Sequence, residues 1–404
     1  MTDLPETIYL DACATAPPGP GVIDRMAEVY AGCWGNPSSL HGHGVRAAET
    51  LERSRWQIAS AVNSDGRELV FTSGATESVH LALMGYGLAQ PPGRLVISAV
   101  EHPAVNAAAQ QLQRHGWQIT TWPVDRYGRI DMEHCEALLA APTRLVSLIW
   151  GQSEVGTLQP IQTIGNLCRS RGIAFHTDAT QVFSQGVPDW QALPVDLLSA
   201  SAHKFGGPKG AGLLLARDQQ RQQMQRLQGG GGQEQGLRAG TEPVALIAGM
   251  AQAITLLPRW TEPSAPVIGA DAVTGPGTGS LMQLRNQLLQ ALLADPRLEL
   301  TGDDQRRLPH HISLIATNHR GKPLQGRRLV RALANKGISC SSGSACSSGQ
   351  DVGSAVLAAM GYAPDQQRAG LRLSLGPWNQ AQDLDRVVDA VKASLDEAEA
   401  LIQP

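Results

Sequence analysis

The chain has 404 residues, a formal net charge of −3 at pH 7, and 42% hydrophobic against 17% charged residues. That length is ample for a sizeable core in two or three domains, and the composition is that of a soluble globular chain with no disorder signature. There is no basic footprint for nucleic acid and no run of about 18 apolar residues for a membrane span; the acidic start, Met1 to Glu6, lacks the basic and apolar regions of a signal peptide, so a cytoplasmic protein without nucleic-acid or membrane partners is expected.

The first informative element is the apolar run 69–71, which leads into Ser73-Gly74-Ala75-Thr76-Glu77-Ser78 and a helix-like stretch over 76–88. A small flexible turn feeding a helix start leaves backbone N–H groups free for an anion such as a phosphate, although Ser and Thr serve equally as plain helix caps. Further apolar runs follow at 95–98, 145–150, 172–177 and 195–199, with helical patterns at 104–115 and 161–171. This alternation predicts an α/β protein with a mostly parallel central sheet flanked by helices. The Pro-, Gly-, Ala- and Thr-rich stretch 258–279 reads as a surface connection or insertion. Beyond it lie a helix over 280–293, a strand over 311–315, and helices over 326–336 and 380–403, which together predict a smaller α+β C-terminal domain.

Two polar islands end neighbouring apolar runs. One is His176-Thr177-Asp178-Ala179-Thr180-Gln181, the other Ser201-Ala202-His203-Lys204 before a Gly/Pro turn. Parallel sheets present their chemistry at the carboxyl ends of strands. An Asp and a Lys offered there fit a pyridoxal phosphate (PLP) site, with Lys204 as Schiff-base lysine and Asp178 against the pyridinium nitrogen. Either residue alone would equally be a surface lysine or a strand-terminal Asp.

The six cysteines (Cys13, Cys33, Cys135, Cys168, Cys340, Cys346) are scattered, with no Cys-x-x-Cys pair. They do not form a disulfide framework, and the eleven histidines show no zinc-ligand spacing; no metal is expected. The segment 337–349 is almost wholly Ser, Gly, Ala and Cys. Such a composition buries little apolar area and predicts an exposed, mobile loop that leaves Cys346 accessible.

Taken in order, these motifs carry a resemblance. Tyr9-Leu10-Asp11, Gly35-Asn36-Pro37-Ser38, Thr72-Ser73-Gly74-Ala75-Thr76-Glu77, Glu101-His102, the two islands above, Arg238-Ala239-Gly240-Thr241, Ser341-Ser342-Gly343-Ser344-Ala345-Cys346 and Arg372-Leu373-Ser374-Leu375-Gly376 resemble the class V aminotransferases, and within them the cysteine desulfurases with an extended cysteine loop. The resemblance implies a PLP-dependent fold type I. It implies a large PLP-binding domain over 15–258 and a small domain, 1–14 with 280–404, carrying the cysteine segment, the two separated by a linker or insertion at 259–279. It also implies a homodimer acting on L-cysteine and passing sulfur to an acceptor protein such as an Fe–S scaffold.

The roles are carried over by motif. Cys346 would be the sulfur nucleophile, Lys204 the cofactor lysine and α-proton base, and His102 a ring-stacking acid/base group. Ala75, Thr76, Ser201 and His203 would hold the phosphate, and Thr241 would reach the partner's phosphate. Asp178, Gln181 and Ser153 would contact the ring. Arg372 would pair with the substrate carboxylate, assisted by Asn36. The chain departs from the family at Trp150-Gly151-Gln152-Ser153-Glu154, where Ser153 stands for an Asn and Trp150 for a His, and at Cys13, in a motif normally free of cysteine. A shorter hydroxyl reaches less far, which leaves open a related PLP lyase for cystine, cysteine sulfinate or selenocysteine, and a degenerate, non-enzymatic PLP-fold partner.

Overall fold

The computed structural model describes residues 7–262, 278–343 and 353–401. The strands are β1 (Ile8–Tyr9), β2 (Leu69–Thr72), β3 (Arg94–Ser98), β4 (Gln118–Trp122), β5 (Thr143–Ile149), β6 (Ala174–Asp178), β7 (Leu197–Ser201), β8 (Gly212–Ala216), β9 (Leu298–Leu300), β10 (His311–Ala316), β11 (Ile338–Ser339) and β12 (Gly370–Ser374).

Seven of them form one sheet in the order β2-β8-β7-β6-β5-β3-β4. Strands β7, β6, β5, β3 and β4 pair in parallel, and β8 runs antiparallel between β2 and β7. Two antiparallel pairings restore the direction, so β2 ends on the same edge as β7, β6, β5 and β3. Both faces are covered, as the near-continuous apolar character of these strands requires. Successive side chains point to opposite faces: Val96, Leu213 and Leu215 pack towards helices Val22–Gly32, Gly42–Val62 and Val244–Ile254, while Leu95 and Ile97 pack under helices Ala75–His80 and Pro103–Arg114.

A second apolar core gathers Ile8 and Leu10 with Leu288, Leu292, Ile312, Leu314, Leu329, Leu371, Leu373 and Leu395. Its framework is the antiparallel sheet β12-β10-β9 and the parallel pair β1-β11, wrapped by helices Thr278–Leu293, Gly326–Asn335 and Asp383–Ala400.

Several expectations shift. The stretch 337–349 is not uniformly an exposed loop: Ile338 is fully buried, β11 pairs with β1, and Ser341 exchanges backbone hydrogen bonds with Arg372 in both directions (3.1 and 2.7 Å). A single buried Ile and strand pairing outweigh the small-residue composition there; 344–352, with Cys346, lie outside the described residues. The start of the expected linker is fastened too, since the Trp260 amide donates to the Val187 carbonyl at 2.9 Å. Strands β4, β8 and β12 and the three N-terminal and central helices Val22–Gly32, Gly42–Val62 and Val244–Ile254 are further elements, which the sequence reading above does not single out.

Candidate active site

The carboxyl edge of the large sheet collects the polar islands. Strand β6 ends on Asp178, whose register partner on β7 is Ser199. Two residues on is Ser201, and the 3-10 turn Ala202–Lys204 follows directly. Buried Asp178 accepts the Thr180 amide at 3.0 Å. Beneath it, His176 is clamped between the Ser147 and Ser199 hydroxyls (2.8 and 2.9 Å), and burial pushes its pKa down to about 4. A neutral imidazole therefore underlies the Asp178 carboxylate.

Lys204 reaches across to the N-terminal segment, where its Nζ donates to the carbonyls of Cys13 (2.6 Å) and Ala14 (2.9 Å). The Cys13 carbonyl also accepts Gln181 Nε2 at 3.0 Å. The Cys13 Sγ is buried 3.3 Å from His310 Nε2, and burial raises its pKa. His203 lies 3.2 Å from the Thr15 hydroxyl; burial first, then Lys204 and Lys209, lowers its pKa to about 4.

The turn after β2 meets this edge from the other side. A Cβ on Gly74 would stand 3.5 Å from the Ser201 hydroxyl, so Ala75 and the exposed Thr76 open a helix facing Ser201. At the end of β3, Glu101 Oε1 accepts the Ser98 hydroxyl (2.6 Å) and the Ile149 amide (2.8 Å), which ties β3 to β5. Burial, with a smaller contribution from Asp178, raises the Glu101 pKa to about 8, so this carboxyl is neutral at pH 7. Next to it, His102 caps the helix Pro103–Arg114: its Nδ1 accepts the Ala104 amide at 3.2 Å, leaving Nε2 to carry the proton of the neutral ring.

Arg372, on the central part of β12, is almost fully buried. It donates to Asp11 Oδ1 (2.8 Å) and to the Ser153 carbonyl (3.1 Å), which His311 Nε2 also approaches at 3.1 Å. This ties the second core to the edge of the large sheet. Asn36 and Thr241 stand apart, solvent-exposed in the single chain. The arm leading to Thr241 is anchored by the Arg238–Glu77 ion pair (2.9 Å), and Glu77 also accepts the Ser73 amide of the phosphate-type turn (2.7 Å). Cys346 is outside the described residues.

Sequence reasoning left two participants unassigned. Asp11 lies 361 positions from Arg372, a separation that no local pattern reveals. Glu101 was in sight as the neighbour of His102, and a carboxylate directly after a buried apolar strand was the available signal.

The cradle is chemically fitted to PLP. Gln181 Oε1, Thr180 Oγ1 and Arg372 Nε are buried and make no hydrogen bond, which is the signature of a site built for further polar partners. An amine, a buried carboxylate and a helix-opening turn stand around it.

Residues 8–387 match the family described as Aminotransferase class-V. The chain belongs to that family. It is 35% identical over 386 residues, 95% of either chain, to "Cysteine desulfurase IscS 1" of Archaeoglobus fulgidus. Among solved structures it resembles a "NifS-like protein" with a TM-score of 0.83 and 27% identity, covering 97% of this chain and all of that one. It also resembles "SspA in complex with cysteine", with a TM-score of 0.77 and 29% identity, covering 93% of this chain and all of that one. The mostly parallel sheet with flanking helices is the PLP fold type I of this class V family.

Proposed function

We propose that the protein is a PLP-dependent cysteine desulfurase. It converts L-cysteine to L-alanine and takes the sulfur onto Cys346 as a persulfide, for an acceptor protein in Fe–S cluster or thio-cofactor biosynthesis. What supports this reading is the presence of Lys204 and Asp178 at the carboxyl edge of the large sheet, with buried Arg372 of the smaller sheet bonded to Ser153 beside that edge, in a chain related to proteins named cysteine desulfurase.

Ala75, Thr76, Ser201 and His203 would hold the cofactor phosphate; neutral His203 can offer it a ring N–H but no positive charge. Asp178 would pair with the ring nitrogen, Gln181 and Ser153 would contact the ring, His102 would lie against it, and Lys204 would carry it. Bound there, PLP supplies an electron sink for the charge left at the substrate α-carbon. Arg372 grips the substrate carboxylate with its planar fork, with Asn36 assisting. The Lys204 amine leaves the carbonyls of Cys13 and Ala14 and takes the α-proton. The Cys346 thiolate attacks the substrate sulfur. A sulfur–sulfur bond forms as the Cβ–S bond breaks, and the electron pair of that bond stays with Cβ. A proton delivered to Cβ, with His102 as candidate donor, and the return of the α-proton from Lys204 to the α-carbon complete alanine. An unperturbed thiol titrates at about 8.5, so Cys346 must hand its proton to a neighbour before it attacks.

A homodimer belongs to this reading. Thr241 is exposed, and Ile23, Tyr30, Trp34, Leu40 and Trp56 present apolar surface on and between the two N-terminal helices. Five free thiols among the described residues support a reducing, cytoplasmic setting. The deciding experiment supplies L-cysteine and a reductant to PLP-loaded protein and to Cys346→Ala. Alanine and sulfide in equal amounts, lost in the variant, are expected. Pyruvate and ammonia, or indifference to Cys346, would replace this reading with a C–S lyase and direct attention to Ser153 and Trp150.

A further inference from the structure

The chain is described up to Gly343 and again from Gly353, and these two described ends, which flank Cys346 in sequence, lie together as a neck. Both sides of that neck stand on one short stretch, 367–370. Going in, a Cβ on Gly370 would lie 3.0 Å from the Ser342 carbonyl. Coming out, the Ser354 amide donates to the Gln367 carbonyl at 3.0 Å, and a Cβ on Gly353 would lie 2.8 Å from the Gln367 Cβ.

Glu154 fills the neck from the opposite side. A Cβ on Gly343 would sit 3.1 Å from Glu154 Cγ and 3.2 Å from Oε1, and Gly343 holds φ +85°, a left-handed backbone that favours glycine. The Ser354 hydroxyl faces the Glu154 carboxyl from the exit side. Glu154 is itself held firmly: its amide and that of Val155 bond the Gln152 side-chain oxygen, and the preceding carbonyl, Ser153, accepts Arg372. The carboxyl is buried, its Oε1 makes no hydrogen bond, and burial raises its pKa. Burying a carboxyl in such surroundings costs free energy that neutralisation and the Ser354 contact offset only in part.

We propose that Glu154 is a positioning residue for sulfur transfer, joining both ends of the segment that carries Cys346 to the Ser153–Arg372 side of the substrate site. This role rests on Cys346 acting as the sulfur nucleophile. It explains why a buried acid contacts an obligate glycine on one side and a serine on the other: the side chain fixes where the segment starts and ends relative to the guanidinium that orients the substrate.

The test uses full-length PLP-loaded protein. In the substrate-free state, Glu154→Ala should speed amide exchange of the peptide over 353–358 by about tenfold and leave that of β6 unchanged. With L-cysteine it should lower kcat for alanine formation by about ten- to a hundredfold, with KM within about twofold, because displacement of a reacting group costs rate rather than substrate grip. Glu154→Gln, which preserves volume and hydrogen bonding, should recover most of the rate. Unchanged exchange in the Ala variant overturns the proposal, as does a rise in KM with kcat preserved, or a Gln variant as slow as Ala. A wild-type protein that makes no alanine sinks the desulfurase reading and this role with it; wild-type activity with unchanged exchange sinks the tether alone.

Discussion

Burial sets the protonation of the groups around the sheet edge. It raises the thiol pKa of Cys13 and Cys135 and pushes those of Cys168 and Cys340 up to about 12. These four sulfurs stay protonated at neutral pH and are poor nucleophiles. Glu101 offers a direct check. Folded, it keeps its proton to about pH 8, whereas its ordinary value is 4.5. Between these values unfolding releases a proton, so the Glu101 contribution makes stability fall as pH rises through that window. Glu101→Gln should remove this slope. Melting temperatures of both proteins from about pH 5 to 8 should converge at the acid end and separate in favour of the variant at the basic end; parallel curves would contradict a neutral buried Glu101.

At the scale of elements, the site depends on close approach of backbone segments. Strand β8 passes so near the turn after β2 that a Cβ on Gly212 would stand 2.5 Å from the Gly74 Cα. Backbone cannot retreat as a flexible side chain can, so Gly212→Ala should push the Gly74–Ala75 turn away from Ser201. The expected outcome is PLP affinity lower by about tenfold with far-ultraviolet circular dichroism intact; cofactor titration giving the wild-type affinity would refute it. Elements with an apolar run between turn residues were legible, as in β3, β5, β6 and β10. Strand β12 was not, because Arg372 interrupts its apolar pattern, and neither was the edge strand β4, whose Gln118 and Thr121 face solvent. Both rely on neighbouring strands for their existence, and no local propensity reports that.

At the scale of the whole molecule, several of the exposed large apolar side chains among the described residues lie on and between the N-terminal helices. Leu40 is 97% and Trp34 64% exposed in the single chain. Exposed apolar side chains gathered over 23–56 and an exposed Thr241 are what the proposed homodimer would need. Trp34→Glu combined with Leu40→Glu should convert a dimer to a monomer in sedimentation velocity and weaken PLP retention. A wild-type monomer, or a variant dimer of undiminished stability, would remove the interface from that face.

The sequence by itself determined the α/β architecture and the positions of Lys204, Asp178, His102 and the Gly74–Thr76 turn, because each follows directly on an apolar strand and strand ends are where parallel sheets expose polar groups. Only the tertiary structure decided that Lys204 rests on the carbonyls of Cys13 and Ala14, that Asp11 holds Arg372, that Glu101 is neutral, and that Glu154 packs against Gly343. Each of these depends on residues distant in the chain meeting in a desolvated space, where register and burial rather than local composition set both the partner and the protonation state.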